Sequence, residues 1–312
     1  MVENWFIEKV KAEIQKKLGE DYEIIERTVL RNNGGFLSGL NIRKAGSKLS
    51  PVIYLEEYFE EHTRGMSVTN IANDIVKIAM GDTRKHIPEI GQLTDFEQVK
   101  DKIIFRLVNY ELNKAMLPKV PHIKYHDLAI VFYIKVHENV RANMMILVEN
   151  GCMGNWKVST NQLYSVALIN TPRLEGESFG SMAKVFIETC NGCNGEQSEA
   201  VSEEFLDALF GPPTFYILSN KRRMKGAAVI LYPGVLQKIA ETLESDLVVL
   251  PCSIHEWIIA TCSDSTRWDC LREMVYEINR TEVPVEDQLS DNVYRFRRRE
   301  GVLELVDLVE AD

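Results

Sequence analysis

Hydrophobic residues in the first third of the chain recur at helical spacing in some segments and alternate in others. An amphipathic N-terminal helix is predicted by four apolar residues at helical spacing: Ile7, Val10, Ile14 and Leu18. Two strand-like runs then flank residues 32–35 (NNGG), whose glycines supply the positive φ angles of a tight hairpin. The stretch 51–56 predicts a short strand, and the apolar spacing over residues 67–80 predicts a second helix.

Beyond residue 100 the pattern suggests units of two strands followed by a helix. The strand pairs are LAIVFYIKV with NMMILVEN, FYILSN with GAAVILY, and LVVLP with EWIIATC. The helices after them begin at STNQLYS, with the capping-box spacing of Ser159 and Gln162, at PGVLQKI and at STRWDCL. A last hairpin joins NVYRFRRR to VLELVDLV. Short links between strands favour antiparallel pairs, so the sequence predicts an α+β fold of hairpins covered by helices.

Three other segments lie outside these units. KIIFRLVNY predicts a strand, and ELNKAML after it predicts a short helix. Residues 176–211 form an insertion, in which SFGSMAKVFIET and SEEFLDALF predict helices around a Gly- and Asn-rich loop. The glycines and proline of residues 80–94 break the pattern. We therefore predict an N-terminal helix-hairpin-helix region over residues 1–94 and a main α+β domain over residues 95–312.

Composition and charge narrow the class of protein. The chain has 36 basic and 46 acidic residues, and a net charge of -10 repels phosphate backbones, so nucleic acid is an unexpected partner. The charged N-terminus lacks the pattern of a signal peptide, and no apolar run is long enough to span a membrane. We expect a cytoplasmic protein whose six cysteines are reduced thiols.

The segment PCSIHE raises two chemical alternatives. A thiolate at Cys252 with the imidazole of His255 would resemble the pair of a cysteine hydrolase, although such pairs come from distant segments and a turn between strands is the simpler interpretation. A structural zinc site would use Cys190, Cys193, Cys252 and His255 as four tetrahedral ligands. The gap of about sixty residues between its halves is longer than compact zinc modules use.

Two further matches carry little specificity. Ser181 and Lys184 with residues 290–292 (SDN) imitate two of the three elements of serine β-lactamases, but the third element, K-T-G, is absent and we interpret the match as coincidence. His122 and His126 precede a strand and are interpreted as polar positions at its entry. The motifs of nucleotide-binding loops, zinc proteases and serine hydrolases are also absent from the sequence.

Two basic groups lie at predicted hairpin reversals. The first contains Lys221, Arg222, Arg223 and Lys225, and the second contains Arg295, Arg297, Arg298 and Arg299. Exposed cations at such positions keep a sheet soluble, which is the simpler interpretation. If the groups lay side by side, they would form an anion-binding surface despite the acidic total.

Seven phrases of the chain resemble a known family. They are LSGLNIR, SPVIYLEEYFEE, DLAIVFYIKV, NTPRL, ILSNKRRMKGAAVILYPGVL, DLVVLPCSIHEWII and LSDNVYRF. Over nearly the whole chain they resemble the family called domain of unknown function 5688, common in clostridial gut bacteria. The resemblance implies a cytoplasmic bacterial protein of an accessory or mobile-element kind, with no established activity or cofactor. It also implies that the position of Cys252 is often serine, whereas His255 and Glu256 match the family.

Our leading hypothesis is a non-enzymatic protein-binding or regulatory module without a cofactor, because no catalytic signature is complete. The rival hypothesis is a hydrolase or transferase that uses His255 with Glu256. The zinc protein described above is a third alternative.

Overall fold

The structure of the protein is a computed structural model that describes residues 2–30, 32–44, 52–80, 95–138, 143–185 and 215–306. Every strand pair in these ranges is antiparallel, and helices cover the sheets. The predicted α+β fold is therefore confirmed. Within the same ranges, no helix is long and apolar enough to cross a membrane.

The N-terminal region contains one three-stranded sheet with helices packed on it. Its elements are α1 (Asn4–Leu18), β1 (Tyr22–Leu30), β2 (Phe36–Lys44), β3 (Val52–Tyr54), α2 (Glu56–Thr63) and α3 (Val68–Met80). The apolar stripes of α1 and α3 meet the sheet around Phe6, Ile14, Leu40 and Ile75, all of them fully buried. Both predicted helices and the hairpin are confirmed.

The second sheet is built around one long strand. Its strands are β4 (Ile103–Asn109), β5 (His122–Tyr125), β6 (Leu128–Glu138) and β7 (Asn143–Leu147), and β6 pairs with each of the others. Three helices flank these strands in the chain: α4 (Phe96–Val99) precedes β4, and α5 (Asn150–Trp156) and α6 (Thr160–Glu175) follow β7. The capping box of Ser159 and Gln162 is present, and α6 covers β4, where Thr171 accepts a hydrogen bond from Phe105 N at 3.1 Å.

The third sheet has six strands in the order β13-β12-β10-β11-β9-β8. They are β8 (Ser178–Ser181), β9 (Tyr216–Ser219), β10 (Leu247–Pro251), β11 (Glu256–Thr261), β12 (Tyr294–Arg297) and β13 (Val302–Leu305). Helices α7 (Val235–Thr242) and α8 (Trp268–Thr281) follow β9 and β11. The predicted hairpins β10–β11 and β12–β13 are confirmed.

Three local predictions were wrong. Residues 226–231 form a 3-10 helix and no strand, because β9 already has β8 and β11 as neighbours. The predicted helix over SFGSMAKVFIET begins instead as strand β8, residues 182–185 are helical as predicted, and its remainder lies outside the described residues, as does the predicted helix SEEFLDALF. The predicted helix over residues 111–117 is replaced by turns, since the side chains of Asn109 and Asn113 bond to nearby backbone and compete with helical hydrogen bonds.

The second and third sheets share one large core, which includes Phe105, Phe132, Trp257 and Tyr294. The N-terminal core is separate from it and uses residues between 2 and 79. The turn of the first hairpin touches the main region, because Asn33 donates to the carbonyl oxygens of residues 285 and 288 at 2.6 and 2.7 Å. The division into two domains stays a prediction, since most of its boundary, residues 81–94, lies outside the described residues.

Candidate functional site

His255 lies in the turn between β10 and β11, where the sequence placed it. Its ring Nδ1 accepts a hydrogen bond from the backbone N–H of Lys225 at 3.0 Å. The other ring nitrogen, Nε2, lies 3.4 Å from Oδ1 of Asp287. Since Nδ1 accepts, the proton of the neutral ring belongs to Nε2. In this tautomer neither nitrogen keeps a lone pair for a substrate, and a general base needs one.

The backbone of the same turn is also held firmly. The carbonyl oxygen of His255 accepts from Gly226 N at 3.0 Å and from the hydroxyl of Ser219 at 2.7 Å. Gly226 fits only because it has no side chain: a Cβ there would lie 2.3 Å from Ser219 Oγ and 2.7 Å from His255 O. Ile254 N donates to the carbonyl of Asp287 at 2.8 Å. The turn is therefore a structural junction between β9, the 3-10 helix and residues 285–287.

Cys252 does not have the environment of a nucleophile. Burial raises the pKa of its thiol from 9.0 to about 11, and the charge of Glu256 adds to this effect. A reactive thiolate needs the opposite, a lowered pKa beside a cation or a helix N-terminus. Glu256 itself begins β11, and its carbonyl accepts the backbone N–H groups of Cys252 and Ser253 at 3.3 Å.

The zinc set cannot be assembled from the described residues. Cys190 and Cys193 lie outside them, so the structure places only Cys252 and His255 of the four. In the ranges that the structure covers, no three His, Cys, Asp or Glu side chains come together as metal ligands. The zinc site stays a prediction. The raised pKa of the Cys252 thiol and the hydrogen bond to Nδ1 of His255 do not favour it.

The first basic group forms a loop that directly follows β9, and we call residues 220–225 the cationic loop. Asn220, buried at its start, organises it: Oδ1 accepts from the backbone N–H groups of Arg222 and Met224, each at 3.2 Å, and Nδ2 donates to Met224 O at 2.9 Å. Arg223 and Lys225 adopt positive φ angles of 52° and 50°. Such angles strain residues other than glycine, so the surrounding bonds must impose this loop conformation.

The buried carboxylate of Glu175 holds the start of the cationic loop in place. Oε2 of Glu175 accepts from Asn220 at 3.0 Å, and its backbone carbonyl accepts from Lys221 N at 3.2 Å. Its other oxygen, Oε1, lies 2.6 Å from Nη2 of Arg106 and 3.6 Å from Nζ of Lys135. Because Arg106 and Lys135 belong to the second sheet, Glu175 joins that sheet to the cationic loop.

Three of the four cationic side chains of this loop are exposed to solvent. Lys221, Arg222 and Lys225 are exposed, and Arg223 is half-buried. The aliphatic part of Lys221 crosses Gly176 so closely that a Cβ there would lie 2.8 Å from its Cδ atom. The arrangement presents positive charge from a fixed backbone, and it can attract an anionic ligand without first ordering the chain.

Two arginines of the second basic group are paired with carboxylates, and the group lies elsewhere. Arg295 contacts Asp246 at 2.7 Å and Arg297 contacts Glu304 at 2.7 Å, while the backbone N–H of Arg298 donates to Asp246 at 3.0 Å. That N–H, followed by the hydrogen bond and charge of Arg295, lowers the pKa of Asp246 against the effect of burial.

The strand register separates the two basic groups. Ser219, just before the cationic loop, pairs with Glu256 next to the carboxyl end of β10. Phe296 pairs with Leu247 at the amino end of the same strand, and Arg297 follows it. The groups therefore lie at opposite ends of the third sheet and form no common surface.

The two halves of the β-lactamase-like match are also apart. Ser181 ends β8, whereas residues 290–292 precede β12, and three strands lie between β8 and β12 in the sheet. Ser290 instead donates to Asp127 at 2.6 Å. His126, next to Asp127, lies in the β5–β6 turn with a φ of 53° and contacts the carbonyl of Leu303.

Sequence reasoning missed the residues that organise the site: Glu175, Asn220 and Asp287. Asn220 carried a usable signal, since asparagine is typical of turns that its own side chain stabilises. Glu175 carried none, because its contacts with Arg106 and Lys135 span 69 and 40 positions of the chain.

The fold and the site define an α+β protein whose antiparallel sheets are covered by helices and carry an exposed cationic loop. The profile of the Family of unknown function (DUF5688) matches residues 3–298. The chain therefore belongs to this family, and the resemblance noted in its sequence is confirmed. No curated protein and no solved structure matches the chain.

Proposed function

We propose that the protein is a non-enzymatic binding module that holds an acidic segment of a partner protein on its cationic loop. The carrying observation is the loop itself, which places four cationic residues within five positions on a backbone fixed by Asn220 and Glu175. Binding surfaces on rigid supports lose less conformational entropy when they engage a ligand. A role in regulation would follow from the partner that the loop selects.

The geometry around His255 supports binding over catalysis. Its two ring nitrogens contact Lys225 and Asp287, and the thiol of Cys252 has a raised pKa. The hydrolase or transferase alternative needs a proton acceptor at His255, and neither nitrogen is positioned to serve as one. Instead, the Nδ1 bond fixes Lys225 at the end of the cationic loop, which gives His255 a supporting role in the proposed surface.

Charge and size favour an acidic protein segment over nucleic acid. At an ionic strength of about 0.1 M, charges more than about 10 Å apart are largely screened, so a short ligand responds mainly to the loop. A nucleic acid extends far beyond one loop, with one charge per about 1.7 Å of duplex, and would meet the rest of a chain with a net charge of -10. A few carboxylates on a flexible segment match the loop without that repulsion.

Fluorescence anisotropy with a labelled decaglutamate peptide tests the proposal. The loop variant carries Lys221→Glu and Arg222→Glu, and the control carries Lys238→Glu and Arg299→Glu, which are exposed positions outside the cationic loop. Both variants change the net charge equally, so only a local contact distinguishes them. We expect the loop variant to bind at least about tenfold more weakly than the wild type and the control to remain close to the wild type.

Two results would count against this function. Equal weakening in the loop variant and the control would mean that net charge, and no defined surface, governs binding. Tighter binding of an oligothymidylate with the same number of charges would reassign the surface to nucleic acid. The cytoplasmic location also stays a proposal, and fractionation of native host cells tests it.

A further inference from the structure

A polar cavity lies on the main region, where the end of β4, the β5–β6 turn, the end of α8 and residues 288–292 meet. Its volume is about 240 Å³, and its lining includes Asn109, Leu112, Asp127, Arg280, Gln288 and Asn292. Since one water takes about 30 Å³ of the liquid, the cavity has room for about eight waters or for an organic molecule of similar size.

Asp127 is held in one orientation at this cavity. Its Oδ2 accepts from Ser290 Oγ at 2.6 Å and from Asn292 Nδ2 at 3.0 Å, and its Oδ1 accepts from the hydroxyl of Tyr294. Burial raises the pKa of Tyr294, and the charge of Asp127 raises it further, so the tyrosine remains a donor at neutral pH. These three neutral donors fix the carboxylate without cancelling its charge.

The other charged groups of the lining are already paired. Arg280 makes a two-pronged contact with Asp291, at 3.1 and 2.8 Å, and Glu111 contacts Lys114. By contrast, the carboxylate of Asp127 has no ion pair: among the described residues, no side-chain nitrogen of Lys, Arg or His lies within 4.0 Å of its oxygen atoms. A half-buried carboxylate without a counter-charge favours a cation from outside the chain.

The neighbouring amides also favour a donor-rich ligand. Gln288 uses its amide N–H groups on the carbonyls of residues 279 and 283, so its side-chain oxygen is the atom with capacity for a further partner. Asn292 likewise donates to Asp127 and keeps an acceptor oxygen. An ammonium group supplies three donors, and a hydroxyl group supplies one more.

We propose that this cavity binds a small organic cation, a primary ammonium compound with a hydroxyl group, whose ammonium contacts Asp127. The amide oxygens of Gln288 and Asn292 accept from its remaining donors. An ammonium ion suits the cavity better than a metal ion, because a hard metal ion prefers several charged oxygen ligands and Asp127 is the lining carboxylate without a cationic partner among the described residues. The site is independent of the partner proposed for the cationic loop.

Two matched compounds test this site. The probes are 4-aminobutan-1-ol and butane-1,4-diol, which have the same number of heavy atoms and differ in the ammonium group. They are titrated by two-dimensional NMR into the full chain and into Asp127→Asn and Leu112→Trp variants. Leu112 is 43% exposed on the lining, so tryptophan there blocks the cavity while Asp127 keeps its charge.

We expect the amino alcohol to bind the wild type with a dissociation constant on the order of 1 mM or below. Each variant should weaken it at least about tenfold, and the diol should bind no better than the weakened variants. Equal binding of the diol, unchanged binding in both variants, or no saturable shift of wild-type signals up to about 10 mM amine would overturn the proposal. Displacement of the amine by Mg²⁺ or Ca²⁺ at lower concentration would reassign the site to a metal ion.

Discussion

Replacing Glu175 with glutamine removes one buried negative charge and almost no volume. The carboxylate has 5% of its side chain exposed, and its two cationic partners, Arg106 and Lys135, have 4% and 7% exposed. Apart from the amide oxygen of the new glutamine, the change leaves Arg106 with contacts to Phe105 O and to the sulfur of Met145. Its Nε atom is already buried without a hydrogen-bond partner among the described residues. The variant therefore has little capacity to compensate for the lost charge.

The size of the effect follows from this burial. Removing one partner of a buried ion pair costs about 3–5 kcal/mol, because the remaining charge keeps its desolvation penalty. Since whole proteins are stable by about 5–15 kcal/mol, we expect Glu175→Gln to lower the free energy of unfolding by about 3 kcal/mol or more. The hydrogen bond to Asn220 also weakens, so amide exchange in the cationic loop is expected to accelerate.

Equilibrium urea unfolding and hydrogen exchange measure these two effects. The matched control is Glu60→Gln, which breaks the exposed pair of Glu60 and Arg64, with 68% and 76% of their side chains exposed, and is expected to leave stability unchanged within error. A second variant, Glu175→Leu with Arg106→Met, replaces the closer pair by apolar groups and leaves Lys135 its hydrogen bond to Leu174 O, so it should recover part of the loss. A loss below about 1 kcal/mol for Glu175→Gln, with unchanged exchange at Asn220, would refute the reasoning.

Three further predictions concern single side chains. At about pH 8, Cys252 should react with iodoacetamide about 100-fold more slowly than a thiol of ordinary pKa, because burial raises the pKa of Cys252 to about 11. Mass spectrometry measures the two rates, and equal rates for Cys252 and the exposed Cys270 would contradict this. Gly226→Ala should lower the free energy of unfolding in urea by about 1–3 kcal/mol, since the new Cβ would lie 2.3 Å from the buried hydroxyl of Ser219. The control, Gly151→Ala, has open space around it and should not destabilise the protein. Equal effects of the two substitutions would count against close packing at Gly226. Burial alone would raise the pKa of Asp291, but hydrogen bonds from Arg280 and Asn279 lower this pKa below its ordinary value of 3.8. The contribution of Asp291 to stability is therefore present above pH 3.8 and is lost as the pH falls through the lowered pKa. Acid unfolding that is identical in the wild type and in a variant without the Arg280 side chain would contradict this.

The elements that local pattern controls could be predicted from the sequence. The spacing of apolar residues predicted α1, α3 and α8, and the capping box of Ser159 and Gln162 predicted the start of α6. The two hairpins near the C-terminus followed from strand runs joined by short polar turns. In each of these segments the local preference and the final fold agree.

The failures came from contacts between distant parts of the chain. Residues 226–231 are apolar enough for a strand, but β11 already occupies the edge of β9, and the carbonyls of Ile254 and His255 accept their first N–H groups. The turn after β4 follows from Asn113, whose side chain also contacts Asn33 of the N-terminal hairpin. Apolar periodicity alone cannot distinguish a buried strand from another buried segment.

At the candidate site, too, the residues that local sequence displays could be predicted, and the contacts between distant segments could not. His255 was identified from the segment PCSIHE and from the family resemblance, and the four cations of residues 221–225 were identified by their charge, which the sequence displays directly. The pairing of His255 with Asp287, and of Glu175 with Asn220, depends on strand order and on the 3-10 helix. The position of the second basic group at the far end of β10 depends on register. No local pattern carries that information.

Photo-crosslinking from the cationic loop in native host cells tests the central claim most directly. Met224, 49% exposed within the loop, is replaced by a photoreactive phenylalanine derivative, and the same replacement at Ile169, 71% exposed on α6, serves as the control. We predict one partner protein with an acidic crosslinked segment, captured from position 224 alone and lost when Lys221 and Arg222 are changed to glutamate. Capture that is equal from both positions, or that persists after the charge reversal, would contradict binding through the cationic loop.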